Sequence, residues 1–413
     1  MRFIDGDGGT LGLFDAAARG YTAGAGFFSP LGDSDIRSAV YAPESSYTDA
    51  ASSAIAALFP EDMDPFMAQR LAARAFSQVP ACSERGEGIL VADYGSGPSA
   101  SAADSDAGFL AGILASVARR SGPRMLLADG SGCEGAALSE AVAGLNDLKL
   151  TLLYPEGRSA TGLRGQRLAR EGGQVGLVSV RGDRAAVERL IREAAGTRIA
   201  GMEVTAAGPA NPARFAARIV ALAATFAILR KGSAGDLYMG VRAGDGLGLA
   251  ACLWAWRFGL PITGIVISVS EKGVLGPDTW SRSLIKRFDD ERPGVIRSLA
   301  LLQGVDRETA LISRAALAAE GGPDLDLASA MTLVAAERAL DAGLRGHARI
   351  VVPLGASPAW DCVNAFGVDD AGGASASCEN ISDVSKAAIP GLLDARVDAE
   401  IAPYLDELSR VIS

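Results

Sequence analysis

Histidine and cysteine, two residue types that commonly carry catalysis, are few in this chain of 413 residues. The single histidine, His347, argues against a catalytic triad and against a metal site built from several histidines. His347 shortly precedes the apolar run Ile350–Val352 and is expected to be a solvent-side turn residue. The cysteines are odd in number and form no C-x-x-C pair, which indicates a reducing compartment without a disulfide framework or a zinc knuckle. They are Cys82, Cys133, Cys252, Cys362 and Cys378.

Two glycine-rich loops have the pattern of anion-binding turns. Residues Asp129–Gly135 and Ala243–Gly248 each lie between a predicted strand and a predicted helix. Glycines at such a turn allow backbone N–H groups to approach an anion at the helix N-terminus. A tight turn that only packs closely would have the same composition, so the two readings of each loop stay open.

Composition and charge exclude several classes of function. Lys and Arg number 39 against 49 Asp and Glu, a net charge of −10, and no basic run is present, so nucleic acid is not an expected partner. The N-terminus has no signal-peptide pattern. The apolar stretches 215–229 and 246–269 contain Arg218 and Arg257, so both are expected to be buried core elements rather than membrane spans.

Short apolar runs alternate with helical patterns along most of the chain. This alternation predicts an α/β fold with parallel sheets and with ligands near the carboxyl ends of the strands. The predicted strands are 89–91, 125–127, 150–153, 175–180, 236–241 and 262–269. The predicted helices are 63–77 with Asp62 as N-cap, 107–119, 135–144, 162–171, 183–195, 212–230 and 246–258. Residues 270–300 are expected to form a polar loop, and Asp369–Ser377 has the composition of a linker.

Several segments, taken in order, resemble the threonine synthases, pyridoxal phosphate (PLP) enzymes of fold type II. The resemblance covers nearly the whole chain. It implies two parallel-sheet α/β domains with a cleft between them, at 86–235 and 236–413, after an N-terminal helical extension at 1–85. The matching segments, besides the two glycine loops, are Phe27–Pro30, Ser46–Ala75, Tyr154–Arg158, Gly172–Gly173, Gly182–Asp183, Leu190–Ala194, Pro209–Asn211 with Arg214, and Gly259–Ile262.

The positions that would contact the cofactor depart from the family pattern. In the segment Ser96–Leu110, Ala103 falls where the family has its cofactor lysine, and an imine requires a primary amine. Asp245 places a carboxylate in the loop that would hold the cofactor phosphate, and Gly355 replaces a threonine expected to face the pyridine nitrogen. The segment Asp326–Ala330 lacks the family histidine. We therefore expect no cofactor, with covalent PLP binding lost, and no metal.

The resemblance and the loops together give a set of candidate site residues. Arg158 follows a strand end, and its planar guanidinium suits a carboxylate or phosphate. No catalytic residue is assigned, and Cys133, Glu134 and Lys272 are the candidates. The predicted ligand-binding residues are Ser99, Gly130, Ser131, Gly132, Arg158, Asn211, Gly244, Asp245 and Gly246.

Two functions remain open, and the sequence leaves undecided whether the chain is an enzyme. In the first, the protein is a pseudoenzyme that binds a small anionic metabolite, such as an amino-acid phosphate, or a protein partner. In the second, it is a PLP-independent lyase or transferase that acts on an amino acid or its phosphate and uses Asp104, Asp106, Glu134 or Asp245 as acid or base. A PLP-dependent threonine synthase activity is less expected than either, given the residues at the cofactor positions. In either case we expect a cytoplasmic monomer or homodimer that binds neither membrane nor nucleic acid.

Overall fold

The computed structural model describes residues 1–355 except 6–7, 23–25, 43–44, 131, 156–173, 231–235, 243, 270–278 and 324. These residues form two compact units. The first comprises Met1–Val79 and Ser96–Ile228, and the second comprises Pro80–Gly95 and the described residues from Leu229 onward. This division differs from the three consecutive segments expected from the sequence, because residues 80–95 join the sheet of the second unit.

From residue 96 onward most of the described strands alternate with helices, as the sequence predicts. The strands are β1 Arg2–Ile4, β2 Thr10–Leu11, β3 Ser29–Leu31, β4 Ala81–Arg85, β5 Ile89–Asp93, β6 Arg124–Asp129, β7 Leu148–Pro155, β8 Val175–Val180, β9 Arg198–Ile199, β10 Met202–Ala206, β11 Asp236–Val241, β12 Gly264–Val269, β13 Ala300–Gly304 and β14 Ala348–Leu354. The helices are Leu13–Arg19, Arg37–Tyr41, Tyr47–Leu58, Pro65–Ala75, Ala103–Ser121, Cys133–Val142, Arg184–Ala194, Pro212–Leu229, Gly246–Arg257, Thr279–Glu291, Val295–Leu299, Arg307–Ala319 and Leu327–Ala339, the last followed by a π-helical turn at Leu340–Leu344.

The first unit contains two sheets. The small antiparallel sheet has the order β2-β1-β3, and the larger sheet has the order β8-β7-β6-β10-β9. In the larger sheet all neighbours are parallel except β9, which pairs antiparallel with β10. The carboxyl ends of the parallel strands therefore share one edge, at which β6 leads into the first glycine loop.

The second unit is built on one sheet of six strands in the order β13-β12-β11-β14-β5-β4. Its neighbours are parallel except the hairpin of β4 and β5. Every residue of β12 is buried, which fits its unbroken apolar sequence, because a parallel sheet is covered on both faces. The second glycine loop follows β11, which is an inner strand of this sheet.

Two local predictions were wrong. The predicted helix at 63–77 begins at Pro65 with Asp64 as N-cap, whose carboxylate accepts from the Met67 N–H at 2.7 Å. Asp62 instead accepts from the Leu13 N–H at 2.8 Å. Within the expected loop at 270–300, the described residues form the helix Thr279–Glu291 and a short helix at Val295–Leu299. The predicted helix at 162–171 and the linker at Asp369–Ser377 lie outside the described residues.

The long apolar helix Pro212–Leu229 is a core element of the first unit, as expected. Its length and composition would also suit a membrane span, but 83% of that window is buried inside the protein. It carries the fully buried Arg214, and the half-buried Arg218 lies one turn further along. Residues four apart lie on the same side of a helix, so both guanidinium groups are presented to the same neighbours.

Candidate functional site

The helix Ala103–Ser121 begins in a turn whose polar groups bind one another. Ala103, at the position matched to the family lysine, is buried, and its N–H lies 3.2 Å from the Ser101 hydroxyl. The Ser99 and Ser101 hydroxyls are 2.9 Å apart, and the Asp104 carboxylate accepts from the Ser99 N–H at 3.0 Å. Burial raises the pKa of Asp104, opposed by these bonds to Ser99. Ser99, predicted to bind a ligand, thus forms hydrogen bonds within this turn.

One turn into the same helix, Asp106 is the centre of a buried charge cluster formed by Asp106, Glu134, Arg214 and Arg218. Its carboxylate accepts from Arg218 Nε at 2.5 Å and lies 3.9 Å from Arg214 Nη2. Burial raises the pKa of Asp106 to about 6, although Arg218 and Arg214 both act to lower it. The ion pairs therefore offset only part of the cost of burying this carboxylate.

The first glycine loop joins β6 to the helix Cys133–Val142. Gly132, at the N-cap with φ of 79°, adopts the left-handed backbone that favours glycine. A Cβ at Gly130 would lie 3.0 Å from the Leu152 Cβ, and the Gly130 N–H donates to the Leu153 carbonyl at 2.7 Å. Close packing against β7 is enough to explain the glycine at 130, and the positive φ explains the glycine at 132.

Glu134 connects this loop to the buried charge cluster. It lies in the first turn of the helix Cys133–Val142, and its carboxylate pairs with Arg214 Nη2. Cys133, the preceding residue, is a half-buried thiol. Arg214 is part of the resemblance but is not among the predicted site residues, because an arginine in an apolar helical segment carries no sign of its partners.

Asn211, a predicted ligand-binding residue, is bound to the main chain around it. Its amide nitrogen donates to the carbonyls of Ala17 and Ala206 at 2.9 and 2.8 Å, and its amide oxygen accepts from the Ala213 N–H at 3.0 Å. Both amide donors are therefore used inside the fold. These bonds tie the start of the helix Pro212–Leu229 to its surroundings, and a contact between Asn211 and a ligand stays a prediction.

In the second unit, Asp245 is the N-cap of the helix Gly246–Arg257. Its carboxylate accepts from the Gly248 N–H at 2.8 Å, and a Cβ at Gly248 would come within 2.6 Å of that carboxylate. Gly244 has φ of 75°, and Gly246 is buried. The carboxylate is thus directed to its own helix, an arrangement typical of an N-cap.

Arg242, just before this loop, forms an ion pair with Asp326 at 2.9 Å. Asp326 also caps the helix Leu327–Ala339 by accepting from the Ser329 N–H at 2.6 Å, and the Gly355 N–H donates to the Ser329 hydroxyl at 3.1 Å. A Cβ at Gly355 would collide with Arg242 Nη1. The space that a side chain at 355 would occupy is therefore filled by a guanidinium, which was not predicted from the sequence.

The remaining candidates lie outside the described residues: Ser131, Arg158 and Lys272. Of the lysines that the structure describes, Lys149 lies exposed on β7, and Lys286 pairs with Asp290 on the helix Thr279–Glu291. Within the described part of the chain no group of three or more His, Cys, Asp or Glu side chains is arranged to hold a metal ion.

Two curated relatives resemble this chain in sequence, and no protein-family model matches it. The threonine synthase of Serratia marcescens is 29% identical over 168 residues, 40% of this chain and 39% of the relative. The threonine synthase of Haemophilus influenzae is 28% identical over 219 residues, 50% of this chain and 51% of the relative. The match thus spans about half, or less, of the length of these relatives.

Solved structures of threonine synthases share the fold over nearly the whole chain. The Escherichia coli enzyme superposes with a TM-score of 0.75 at 19% identity, covering 94% of this chain and 93% of its own. The yeast enzyme gives 0.71 at 15% identity, covering 97% and 92%. The PLP-bound enzyme of Brucella melitensis gives 0.69 at 17% identity, covering 94% and 100%.

The expectation that the chain has no cofactor is wrong. The sequence matches and the fold matches are to threonine synthases, and one of the solved structures contains PLP. The expectation depended in part on repulsion between Asp245 and a phosphate, and the structure directs that carboxylate to the Gly248 N–H. The predicted α/β class is confirmed: the chain has the fold of the solved threonine synthases, PLP enzymes of fold type II, and is similar to threonine synthases in sequence over about half of its length.

Proposed function

We propose that this chain binds PLP and a small anionic amino-acid derivative without forming threonine. PLP is present in the Brucella melitensis threonine synthase structure, which has the same fold. A retained cofactor site is supported by the arrangement at the start of the helix Gly246–Arg257. There the carboxylate of Asp245 binds the first turn of its own helix as an N-cap. On this proposal the protein is a small-molecule-binding pseudoenzyme of the cytoplasm.

The second glycine loop fits the phosphate of PLP. The first N–H groups of a helix have no acceptor within it, and together with the helix dipole they favour an anion. Asp245 uses one of them, the N–H of Gly248. The N–H groups of Gly246 and Leu247 are therefore the ones we propose to bind the phosphate.

Bound PLP supplies an electron sink that stabilises a carbanion on an amino acid. At this loop the chain's own residues bind and orient the phosphate. Arg242, held by Asp326 and packed against Gly355, contributes a fixed positive charge directly before the loop.

The absence of threonine formation is supported by Ala103. The resemblance matches this position to the family lysine, and a methyl group neither transfers a proton nor acts as a nucleophile. The hydroxyls of Ser99 and Ser101 beside it bind each other. No group able to replace the lysine stands at the described start of this helix.

The alternative of a repurposed PLP-independent enzyme has less support, because the four carboxylates named for it are all engaged. A general base must be directed at its substrate. Asp104 accepts from the Ser99 N–H, Asp106 from Arg218, and Asp245 from the Gly248 N–H, while Glu134 pairs with Arg214.

Thermal denaturation with PLP and with pyridoxal, which lacks the phosphate, tests the cofactor half of the proposal. We expect PLP at micromolar concentration to raise Tm and pyridoxal to have little effect. An equal response to both, or to neither, rejects phosphate binding at the glycine loop. Borohydride reduction followed by peptide mapping then identifies any amine of the chain that reacts with PLP.

The proposed absence of threonine formation is tested by an assay with the PLP-loaded protein. The assay measures threonine formed from phosphorylated amino acids. We expect no threonine above the blank. Turnover that is lost on heat denaturation rejects the pseudoenzyme assignment and leaves the cofactor assignment standing.

A further inference from the structure

Arg242 is held in place at the carboxyl edge of the six-stranded sheet. It directly follows β11, and its Nη2 pairs with the Asp326 carboxylate at 2.9 Å. The side chain of Asp326 is only 4% exposed, and its other oxygen accepts from the Ser329 N–H at 2.6 Å. Asp326 is thus fixed at the start of its own helix, and it fixes the guanidinium of Arg242 in turn.

The guanidinium lies at the end of the neighbouring strand, β14. A Cβ at Gly355 would collide with Arg242 Nη1, so the glycine leaves the room that this group fills. Since β11 and β14 are parallel neighbours, Arg242 and Gly355 both lie at the carboxyl ends of strands, where ligands of α/β sheets bind. The helix Gly246–Arg257, proposed to bind the phosphate of PLP, begins at the same edge.

From this arrangement we propose that Arg242 donates a hydrogen bond to the pyridine nitrogen of bound PLP and keeps that nitrogen unprotonated, with Asp326 as the residue that positions it. The inference rests on the proposed binding of PLP at the second glycine loop. A guanidinium has N–H donors but no acceptor, and it does not lose its proton in proteins. Arg242 therefore binds the neutral nitrogen and repels the protonated one.

The chemistry of PLP indicates which of its atoms meets Arg242. With the phosphate at the helix N-terminus, the ring lies along the same edge of the sheet. On the side of β12 the Ser268 hydroxyl is already bound to the Val241 carbonyl at 3.2 Å, whereas on the side of β14 the ring meets the guanidinium. The aldehyde must stay accessible to an amine, and the pyridine nitrogen is the ring atom opposite to it. A group that holds the ring from the sheet therefore faces the nitrogen.

This contact selects the form of the cofactor that the protein holds. Hydrogen bonds to the ring nitrogen are one of the means by which a protein tunes the electronics of a cofactor. A neutral ring nitrogen withdraws electrons less strongly than a protonated one. Ligands of this site should therefore be distinguished by their ring nitrogen as well as by their phosphate.

The test measures Kd by calorimetry for PLP and for two analogues that differ from it at the ring nitrogen. Deaza-PLP has a carbon there and offers no acceptor, and N-methyl-PLP carries a permanent positive charge there. Both analogues keep the phosphate. Loss of binding of all three by the wild type rejects the cofactor site and this inference with it, whereas equal binding of PLP and deaza-PLP rejects this inference alone.

The proteins are the wild type, Arg242→Met, Asp326→Asn and Arg85→Met. Asparagine at 326 keeps an acceptor for the helix Leu327–Ala339 and removes only the charge. Arg85→Met is the matched control, because Arg85 is 22% exposed against 24% for Arg242 and also faces a carboxylate, that of Glu337 at 3.6 Å. Arg85 pairs with the first residue of β5, at the opposite edge of the sheet.

We expect the wild type and Arg85→Met to bind PLP roughly 10- to 100-fold more tightly than deaza-PLP, which corresponds to one hydrogen bond to a charged group. Arg242→Met should bind PLP and deaza-PLP alike. It should also bind N-methyl-PLP more tightly than the wild type does, because the positive charge that faces the methylated nitrogen is gone. Asp326→Asn should keep only part of the preference for PLP.

Two further results would each overturn the proposal: a preference for PLP that survives Arg242→Met, or a preference that Arg85→Met loses to the same extent. An unchanged preference in Asp326→Asn rejects the positioning role of Asp326. Arg242→Met leaves the Asp326 carboxylate buried without this partner. If that variant does not fold, the double variant Arg242→Met with Asp326→Asn removes both charges, and the same comparison of PLP with deaza-PLP decides.

Discussion

The guanidinium of Arg242 lies in the space that a side chain at Gly355 would occupy. These residues stand at the ends of β11 and β14, which are neighbours in one parallel sheet. Asp326 holds the guanidinium from the adjacent helix. A charged group thus fills the place where the resemblance predicts a threonine side chain, next to the loop proposed to bind the cofactor phosphate.

We expect Gly355→Thr to displace Arg242, weaken its ion pair with Asp326 and lower the free energy of unfolding by about 1–3 kcal/mol. Urea denaturation measures this cost. Gly208→Ala is the matched control, since nothing lies within 4 Å of a Cβ at that position. In an Arg242→Ala background the cost of Gly355→Thr should largely disappear, and an unchanged cost there contradicts the steric explanation.

The stability of the protein should depend on pH through Asp106. Burial raises its pKa to about 6 in the folded protein, above the value of ~3.9 for an exposed carboxyl. Between these values the folded state holds the proton more tightly than the unfolded state, so stability falls as pH rises through this window. Comparing wild type and Asp106→Asn by urea denaturation from about pH 4 to 7 cancels the other groups. The wild type should gain relative to the variant as pH falls, and a constant difference contradicts the raised pKa.

Asp245 should contribute to stability as a helix cap. Asp245→Ala removes the acceptor for the Gly248 N–H and should cost about 0.5–2 kcal/mol, whereas Asp245→Asn keeps an acceptor and should cost less. Asp245→Asn should also bind PLP more tightly, because a negative charge near the phosphate is removed. Asp306→Ala is the control, since it deletes a similar cap on the Thr309 N–H away from the glycine loop. Tighter PLP binding by Asp306→Ala as well would show a general effect of net charge.

Asn211 should matter for stability rather than for ligand binding. Asn211→Ala leaves the carbonyls of Ala17 and Ala206 without their donors and should lower the free energy of unfolding by about 2–4 kcal/mol. Binding of phosphorylated amino acids to the folded variant, measured by calorimetry, should match that of the wild type. A selective loss of this binding with unchanged stability would assign Asn211 to the ligand after all.

The order of strands and helices was largely determined by the sequence itself. Strands such as 236–241 and helices such as 212–230 were predicted within a few residues, because apolar periodicity and glycine turns act over a few neighbouring residues. The two glycine loops were also found from their local pattern. At 279–291 the same reasoning failed, because a helix with charged residues on one face resembles a polar loop when its buried partners are unknown.

Partnerships between distant residues were decided only by the tertiary structure. The sequence does not indicate that Asp62 binds the Leu13 N–H while Asp64 caps the helix, since either aspartate is a suitable cap. Nor does it bring Arg214 to Glu134, or Arg242 to Gly355. The sequence determines which residues are charged, but the energy of each charge depends on its burial and on neighbours from other elements. For Asp106 and Arg214, the packing of separate helices determines both the burial and the charged neighbours.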